Sequence, residues 1–349
     1  MSSHVKKPTL SIVVPVVGDV ASLEDTLVSV LENRPDDSEI VVPLGCDYDD
    51  PWNIREEVRF VQAPRGSGLV ACTNLGVASA AGRVVHVLAS GWRATPGWAD
   101  AALAHFAAPA PGGFASGDIA AVVPVAVAHH DPERVTAAGI RLSRGGRRSV
   151  LVPPKNSKKS SGATRVEDAV ARLQPTGPLL EAGFWRADVL AMVGPGFAVS
   201  CGGWCDADMA SAVECIGGRV VLEPAARVVG PTARRASAFG DGLQAERTFW
   251  RSLGRGSVAG ALGLHLVEVV RDALARAPLG TVPAVLGRLA GLVQFGNYVP
   301  RLHQLRSLAE AVAWADENDH EVRTLRIDGA EPSWRGPSRS RGRSMRRSA

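Results

Sequence analysis

Apolar positions follow two rhythms along the first part of the chain. Thr9 to Val17 (TLSIVVPVV) is a short, β-branched, nearly unbroken apolar run. It predicts a strand buried on both faces, and hence a parallel sheet. Gly18 and Asp19 interrupt it, and Ser22 then stands as an N-cap with Glu24 and Asp25 in the first helical turn. Leu23, Leu27, Val30 and Leu31 share one helical face, Pro35-Asp36-Asp37 ends the helix, and Glu39 to Val42 begins a second strand. The rhythm repeats. Strands are predicted at Val58–Gln62, Val84–Ala89 and Ile119–Val127; helices are predicted at Leu69–Ala81, closed by Gly82, and at Trp98–Phe106. Short buried strands alternating with helices argue for a doubly wound α/β sheet.

The pattern changes after residue 127. Residues 128–165 read as a hairpin followed by a mobile basic loop that carries Lys155, Lys158 and Lys159. A strand-like piece (Pro178–Trp185), a helix (Asp188–Val193), a Gly-Pro-Gly turn, a helix (Asp206–Ile216) and a short strand (Arg219–Leu222) come next. From about Leu243 the pattern is helical: Ala245–Leu253, Val258–Ala277, Val282–Leu292 and Arg301–Asn318. These helices read as a cap packed on the sheet in preference to a membrane-surface set. The division expected is 1–242 for the α/β domain, 243–330 for a helical extension and 331–349 for a disordered Ser/Arg/Gly-rich tail.

Composition narrows the class. The 349 residues are 46% hydrophobic and 21% charged, enough for a sizeable core and too apolar for a disordered chain. Five cysteines are too few for a disulfide scaffold. No run of 18 apolar residues suggests a membrane span and the first eight residues show no signal core, so the expected home is cytoplasmic, at most peripheral to the inner face of the membrane. The net charge of +4 is uneven: six arginines follow Ala330 against Glu331, a local +5 that leaves the body at −1. The basic character therefore belongs to the tail, and nucleic acid is not an expected partner.

Three segments, in order, resemble the family-2 glycosyltransferases of the GT-A fold. Residues 8–42 (PTLSIVVPVVGDV…EIVV) are similar to that family's opening strand, helix and strand. Residues 71–98 (ACTNLGVASAAGRVVHVLASGWRATPGW) are similar to its Ala-Arg-Asn-x-Gly helix, its Asp-rich strand end and its Pro-x-Trp helix start. Residues 177–229 resemble the acceptor-side strand, a Gly-Gly-Phe turn and the Glu-Asp-x-Asp-Leu helix. The resemblance implies a GT-A (Rossmann-like), mostly parallel sheet flanked by helices, with a C-terminal helical extension. It also implies transfer of a sugar from a nucleotide-sugar donor to a hydroxyl of a glycan or lipid-linked acceptor. A carboxylate acts as general base, and a divalent metal (Mg or Mn) on an Asp-x-Asp motif meets the leaving diphosphate.

Matched onto this chain, the resemblance makes Asp206 the base. It places Pro15, Asn74, Ser90, Gly91 and Arg93 on the donor side and Gly203, Trp204 and Asp208 on the acceptor side; read from their helices alone, Asn74 is a hydrogen-bonding residue, Asp208 a structural one and Asp206 a carboxylate stabilised by the helix N-terminus. The chain departs from the pattern where the metal belongs. Ala89-Ser90-Gly91 stand in place of the metal-binding aspartates, Pro43-Leu44 in place of an acidic pair, Thr73 in place of an arginine and Cys205 in place of a glutamate. Two readings follow. In one the chain is a transferase in which a cation such as Arg93 replaces the metal. In the other it is a catalytically inactive GT-A-fold protein that binds a partner or a glycan.

Other motifs add less. Gly66-Ser67-Gly68-Leu69-Val70-Ala71 fits a G-x-G-x-x-A dinucleotide fingerprint, but no acidic residue follows at the expected distance, so a tight loop is the simpler reading and NAD(P) chemistry a third one. His129-His130-Asp131 reads as a loop, because adjacent strand residues point to opposite faces. Cys201, Cys205 and Cys215 have no zinc-like second pair and read as small buried thiols.

Overall fold

The computed structural model describes residues 7–106, 114–154, 169–194, 196–231, 237–253 and 258–327. The basic loop at Lys155, Lys158 and Lys159 and the tail after Glu331 lie outside these residues. The chain runs β1 (Leu10–Val13), α1 (Val20–Asn33), β2 (Ser38–Leu44), β3 (Val58–Gln62), α2 (Leu69–Ser79), β4 (Val84–Val87), β5 (Arg93–Ala94), α3 (Trp98–Leu103) and β6 (Ile119–Ala128). A hairpin region follows, with β7 (Asp131–Ala137), β8 (Ile140–Leu142) and β9 (Arg148–Val150). Then come β10 (Phe184–Arg186), α4 (Ala187–Val193), α5 (Cys205–Cys215) and β11 (Arg219–Val229). The C-terminal helices are α6 (Ala238–Ser252), α7 (Val258–Ala275), α8 (Thr281–Val293) and α9 (Val299–Ile327).

One sheet organises the molecule, in the order β3-β2-β1-β4-β10-β6-β11-β5, with β7 attached to β6. β3, β2, β1 and β4 pair in parallel, β10 is antiparallel to both β4 and β6, and β6 and β11 are parallel again. The unbroken apolar runs have a direct cause. Leu10, Ile12 and Val14 of the first run point into a cluster with Leu23, Leu27 and Trp98 of α1 and α3. Val13 points the other way, into a cluster with Val70, Leu190 and Met209 of α2, α4 and α5. Each strand thus feeds two cores, and alternation vanishes from the sequence.

Several local expectations shift. The N-cap of α1 is Asp19, whose carboxylate accepts the Ser22 N–H at 3.3 Å and the Ser22 hydroxyl; Ser22 lies inside the helix. Gly82 does not cap α2, whose C-cap is Ala80. It is small because its backbone crosses β1, where an added Cβ would stand 2.6 Å from the Ser11 nitrogen. The strand expected over Pro178–Trp185 is a 3₁₀ turn (Leu180–Ala182) followed by the three residues of β10. β11 is far longer than Arg219–Leu222. It follows β6 through a register shift between Glu223 and Arg227, and Pro224 sits in that irregularity, where a missing N–H is tolerated. Helix α6 runs straight through residue 242.

Candidate functional site

The C-terminal ends of β1 and β4 lie side by side. The Pro15 carbonyl accepts the Ser90 N–H at 3.2 Å. Gly91, at φ +88°, directs its N–H to the Ser22 carbonyl (3.2 Å) and the Thr26 hydroxyl (2.9 Å) at the start of α1. The Ala89 N–H bonds the Glu181 carbonyl at 2.9 Å. The segment Ala89-Ser90-Gly91 is therefore stapled down, with its backbone donors engaged inside the protein. It supplies no carboxylate, and no group of three or more His, Cys, Asp or Glu side chains among the described residues is arranged to hold a metal ion. A hard divalent cation needs several oxygen ligands, so these residues do not fit a carboxylate-held metal.

Arg93 lies in β5, opposite Val229 of β11, and its guanidinium bonds Asp25 of α1 at 2.5 Å. It borders a cleft of about 190 Å³ with Gly91 and His129. Asn74 faces elsewhere. Its amide donates to the Phe197 carbonyl at 2.8 Å and accepts the Phe197 N–H at 2.7 Å, bracing α2 against the glycine turn after α4. Beyond β2, Asp50 accepts the Ile54 N–H at 3.1 Å and pairs with Arg55, which makes it a turn residue. Gly66 sits at φ +78° in a tight turn that leads into α2.

The residues matched by resemblance to the acceptor side lie in a network of buried charge. Asp206, in the first turn of α5, has no exposed surface. Arg148 of β9 grips both its oxygens in a bidentate pair, at 2.8 and 2.6 Å. Glu181 lies in the turn before β10, close enough for the Asp206 charge to act on it. Burial, and then that charge, hold its carboxyl above the usual carboxylate range. Asp208, two residues on, belongs to another cluster: Arg251 of α6 binds it at 2.6 and 3.2 Å, and Arg301 of α9 at 3.2 Å. Gly203 is exposed and Trp204 half-buried. Trp204 and Arg148 line a cavity of about 620 Å³ that extends to Arg271 of α7 and Arg288 of α8. Cys201 and Cys205 are buried; burial pushes the Cys201 thiol up to about 12 and the Cys205 thiol well above its usual value, so both stay protonated at neutral pH.

The sequence-derived candidates thus fall into separate places. Pro15, Ser90 and Gly91 meet at one edge, with Arg93 just beyond. Trp204 joins the cavity beside Asp206. Asn74 and Asp208 are engaged in holding elements together. The residues that sequence reasoning missed are Arg148 and Glu181. Glu181 left a signal, a single acid inside the apolar stretch Pro178–Trp185. Arg148 left none, because its partner is 58 residues away.

No protein-family model matches the chain, and no curated protein does. Solved structures do. The mannosyltransferase PcManGT from Pyrobaculum calidifontis, in complex with GDP-Man and Mn²⁺, aligns over 89% of this chain and 88% of its own, at 16% identity and a TM-score of 0.49. S. aureus TarS 1–349 aligns over 88% of this chain and 92% of its own, at 13% identity and a TM-score of 0.51. With the antiparallel β10 set between the parallel strands β3-β2-β1-β4 and the parallel pair β6-β11, the likeness to TarS establishes that this chain has the fold of the GT-A glycosyltransferases.

Proposed function

We propose that the protein transfers a sugar from a nucleotide-sugar donor to an acceptor hydroxyl without a carboxylate-held metal. The observation that carries this reading is the Glu181–Asp206–Arg148 cluster, in which the Glu181 backbone also bonds Ala89, just past β4. In transfer, the acceptor oxygen bonds to the anomeric carbon, the bond from that carbon to the diphosphate oxygen breaks, and the acceptor proton passes to a carboxylate. Asp206 can take this proton only if Arg148 releases it. Glu181 needs no such exchange, and burial together with the Asp206 charge raises its affinity for a proton. In this reading Glu181 accepts the proton, while Asp206, fixed by Arg148, maintains that affinity. The diphosphate charge is met by Arg93, which exchanges Asp25 for phosphate. The acceptor, a glycan or lipid-linked molecule, enters by the cavity at Trp204.

Calorimetric titration with UDP, GDP and dTDP, each with Mn²⁺ and with EDTA, tests the proposal. One nucleotide binds equally with and without metal, and Arg93→Ala weakens it by about tenfold, the loss of one charge-assisted contact. Glu181→Gln leaves that affinity unchanged and removes turnover. Strict dependence on Mn²⁺ would overturn the metal-free reading. Binding of no nucleotide by folded protein would favour the inactive, partner-binding alternative.

A further inference from the structure

Helices α7 and α8 present an outer face that the fold leaves uncovered. On α7, Leu262, Leu266, Val270 and Leu274 recur every fourth residue, and all are exposed. On α8, Val282, Leu286, Leu289 and Val293 repeat the pattern at helical spacing, Val293 being 87% exposed. Leu279, in the turn that joins the two helices, is 89% exposed. Soluble monomers rarely show so continuous an apolar surface.

The charges around this face select what covers it. Between Val258 and Phe295 the charged residues are Glu268, Arg271, Asp272, Arg276 and Arg288. Both acids are half-buried and paired. Glu268 faces Arg147 of the β8–β9 turn, and Asp272 is held by Arg276 and Arg288. Arg271 is the one charged side chain of the segment that is exposed. It lies one helical turn from Val267 and from Leu274, at the margin of the apolar face, where a guanidinium can reach outward while its stem stays on apolar surface. A second copy docked symmetrically on this face would bring such cations toward each other with both acids already paired. A negatively charged lipid surface matches both features, apolar depth and anionic headgroups.

We propose that the α7–α8 hairpin lies flat on an anionic lipid surface. No helix among the described residues is long and apolar enough to cross a membrane, so the contact is interfacial. Arg271 also borders the cavity lined by Arg148 and Trp204, which therefore opens beside the docking face. The inference stands apart from the transfer reading, because vesicle binding is measured without nucleotide or turnover.

The test is co-sedimentation of the full chain with phosphatidylcholine vesicles, with and without phosphatidylglycerol. The wild type sediments with the mixed vesicles and far less with phosphatidylcholine alone. The double variant Leu279→Asp/Val293→Asp changes two side chains that are almost wholly exposed, so it keeps its circular dichroism spectrum, and it binds the mixed vesicles at least about tenfold more weakly. Arg271→Glu weakens binding to mixed vesicles only. Equal binding by wild type and double variant would assign the contact to the Arg-rich tail and overturn the proposal. So would failure of the wild type to bind the mixed vesicles, or a solution dimer that the double variant abolishes.

Discussion

His86 shows how completely tertiary contacts can specify one side chain. It lies in β4 with no exposed surface, and its ring stacks on Phe184 at 3.7 Å. The Trp98 indole N–H can only donate, so Nε2 of His86, 3.1 Å away, accepts from it. The proton then sits on Nδ1, which donates to the Gly183 carbonyl at 3.2 Å. Burial lowers the pKa of this neutral ring to about 3. The unfolded chain binds a proton near pH 6.5 and the folded chain does not, so this residue makes stability fall as pH drops from about 6.5 toward 3. Its share of the slope is about 1.4 kcal/mol per pH unit. Urea denaturation at pH 7.5, 6 and 5 measures it. In His86→Phe that share disappears, whatever the stability of the variant at pH 7.5. A parallel pH dependence in variant and wild type would contradict a neutral His86. At this scale the sequence shows only a histidine in an apolar strand; Trp98 and Gly183 reach it through the fold.

Among the elements, the contact of α6 with α8 is the tightest, and glycine makes it so. An added Cβ at Gly287 would stand 2.1 Å from the Phe239 carbonyl oxygen, and one at Gly242 would stand 2.1 Å from the Ala284 carbonyl oxygen. Backbone therefore meets backbone, and no rotamer change relieves a clash. Gly263 on α7 has nothing within 4 Å of its Cβ position. Gly287→Ala should destabilise by about 1–3 kcal/mol, since the helices must part. Gly263→Ala should stabilise by up to about 1 kcal/mol, the helix propensity gain. Chemical denaturation of the two variants decides it: a neutral Gly287→Ala would mean that the helices are not so closely joined. The sequence cannot separate these glycines, because both sit in apolar helices of similar composition. It did place the helices themselves, and the inner faces do pack on the body of the protein. Periodicity alone left open how much apolar surface remains outside.

For the whole molecule the decisive residue is Asp208. It is 3% exposed, lies on α5, and is bound by Arg251 of α6 and Arg301 of α9. Leu305 of α9 packs into the same core as α4 and α5. Two of the C-terminal helices are thus tied to α5 through a buried carboxylate as well as by apolar contact. Asp208→Asn leaves two arginines without their anion and should cost about 3–5 kcal/mol. Hydrogen exchange should show faster opening of residues 299–315, while β1 and β4 remain protected. Uniform loss of protection across the chain would show that sheet and helices unfold as one unit.

Most strand and helix identities, Pro178–Trp185 apart, were legible in the sequence because each is set by nearby residues: β-branched runs, periodic apolar faces and turn residues. The resemblance in residues 8–229 likewise led to the fold that the structure shows. Boundaries moved where a cap or a bulge depends on one contact, as at Asp19 and Pro224. The charge pairing was beyond reach. Arg148 and Asp206 are 58 residues apart, and Arg301 and Asp208 are 93 apart. Which guanidinium meets which carboxylate depends on chain crossings that leave no mark on local composition. Two aspartates two residues apart on α5 therefore look alike in sequence, and only the tertiary structure sets one beside Glu181 and the other under the C-terminal helices, because successive helical positions face different neighbours.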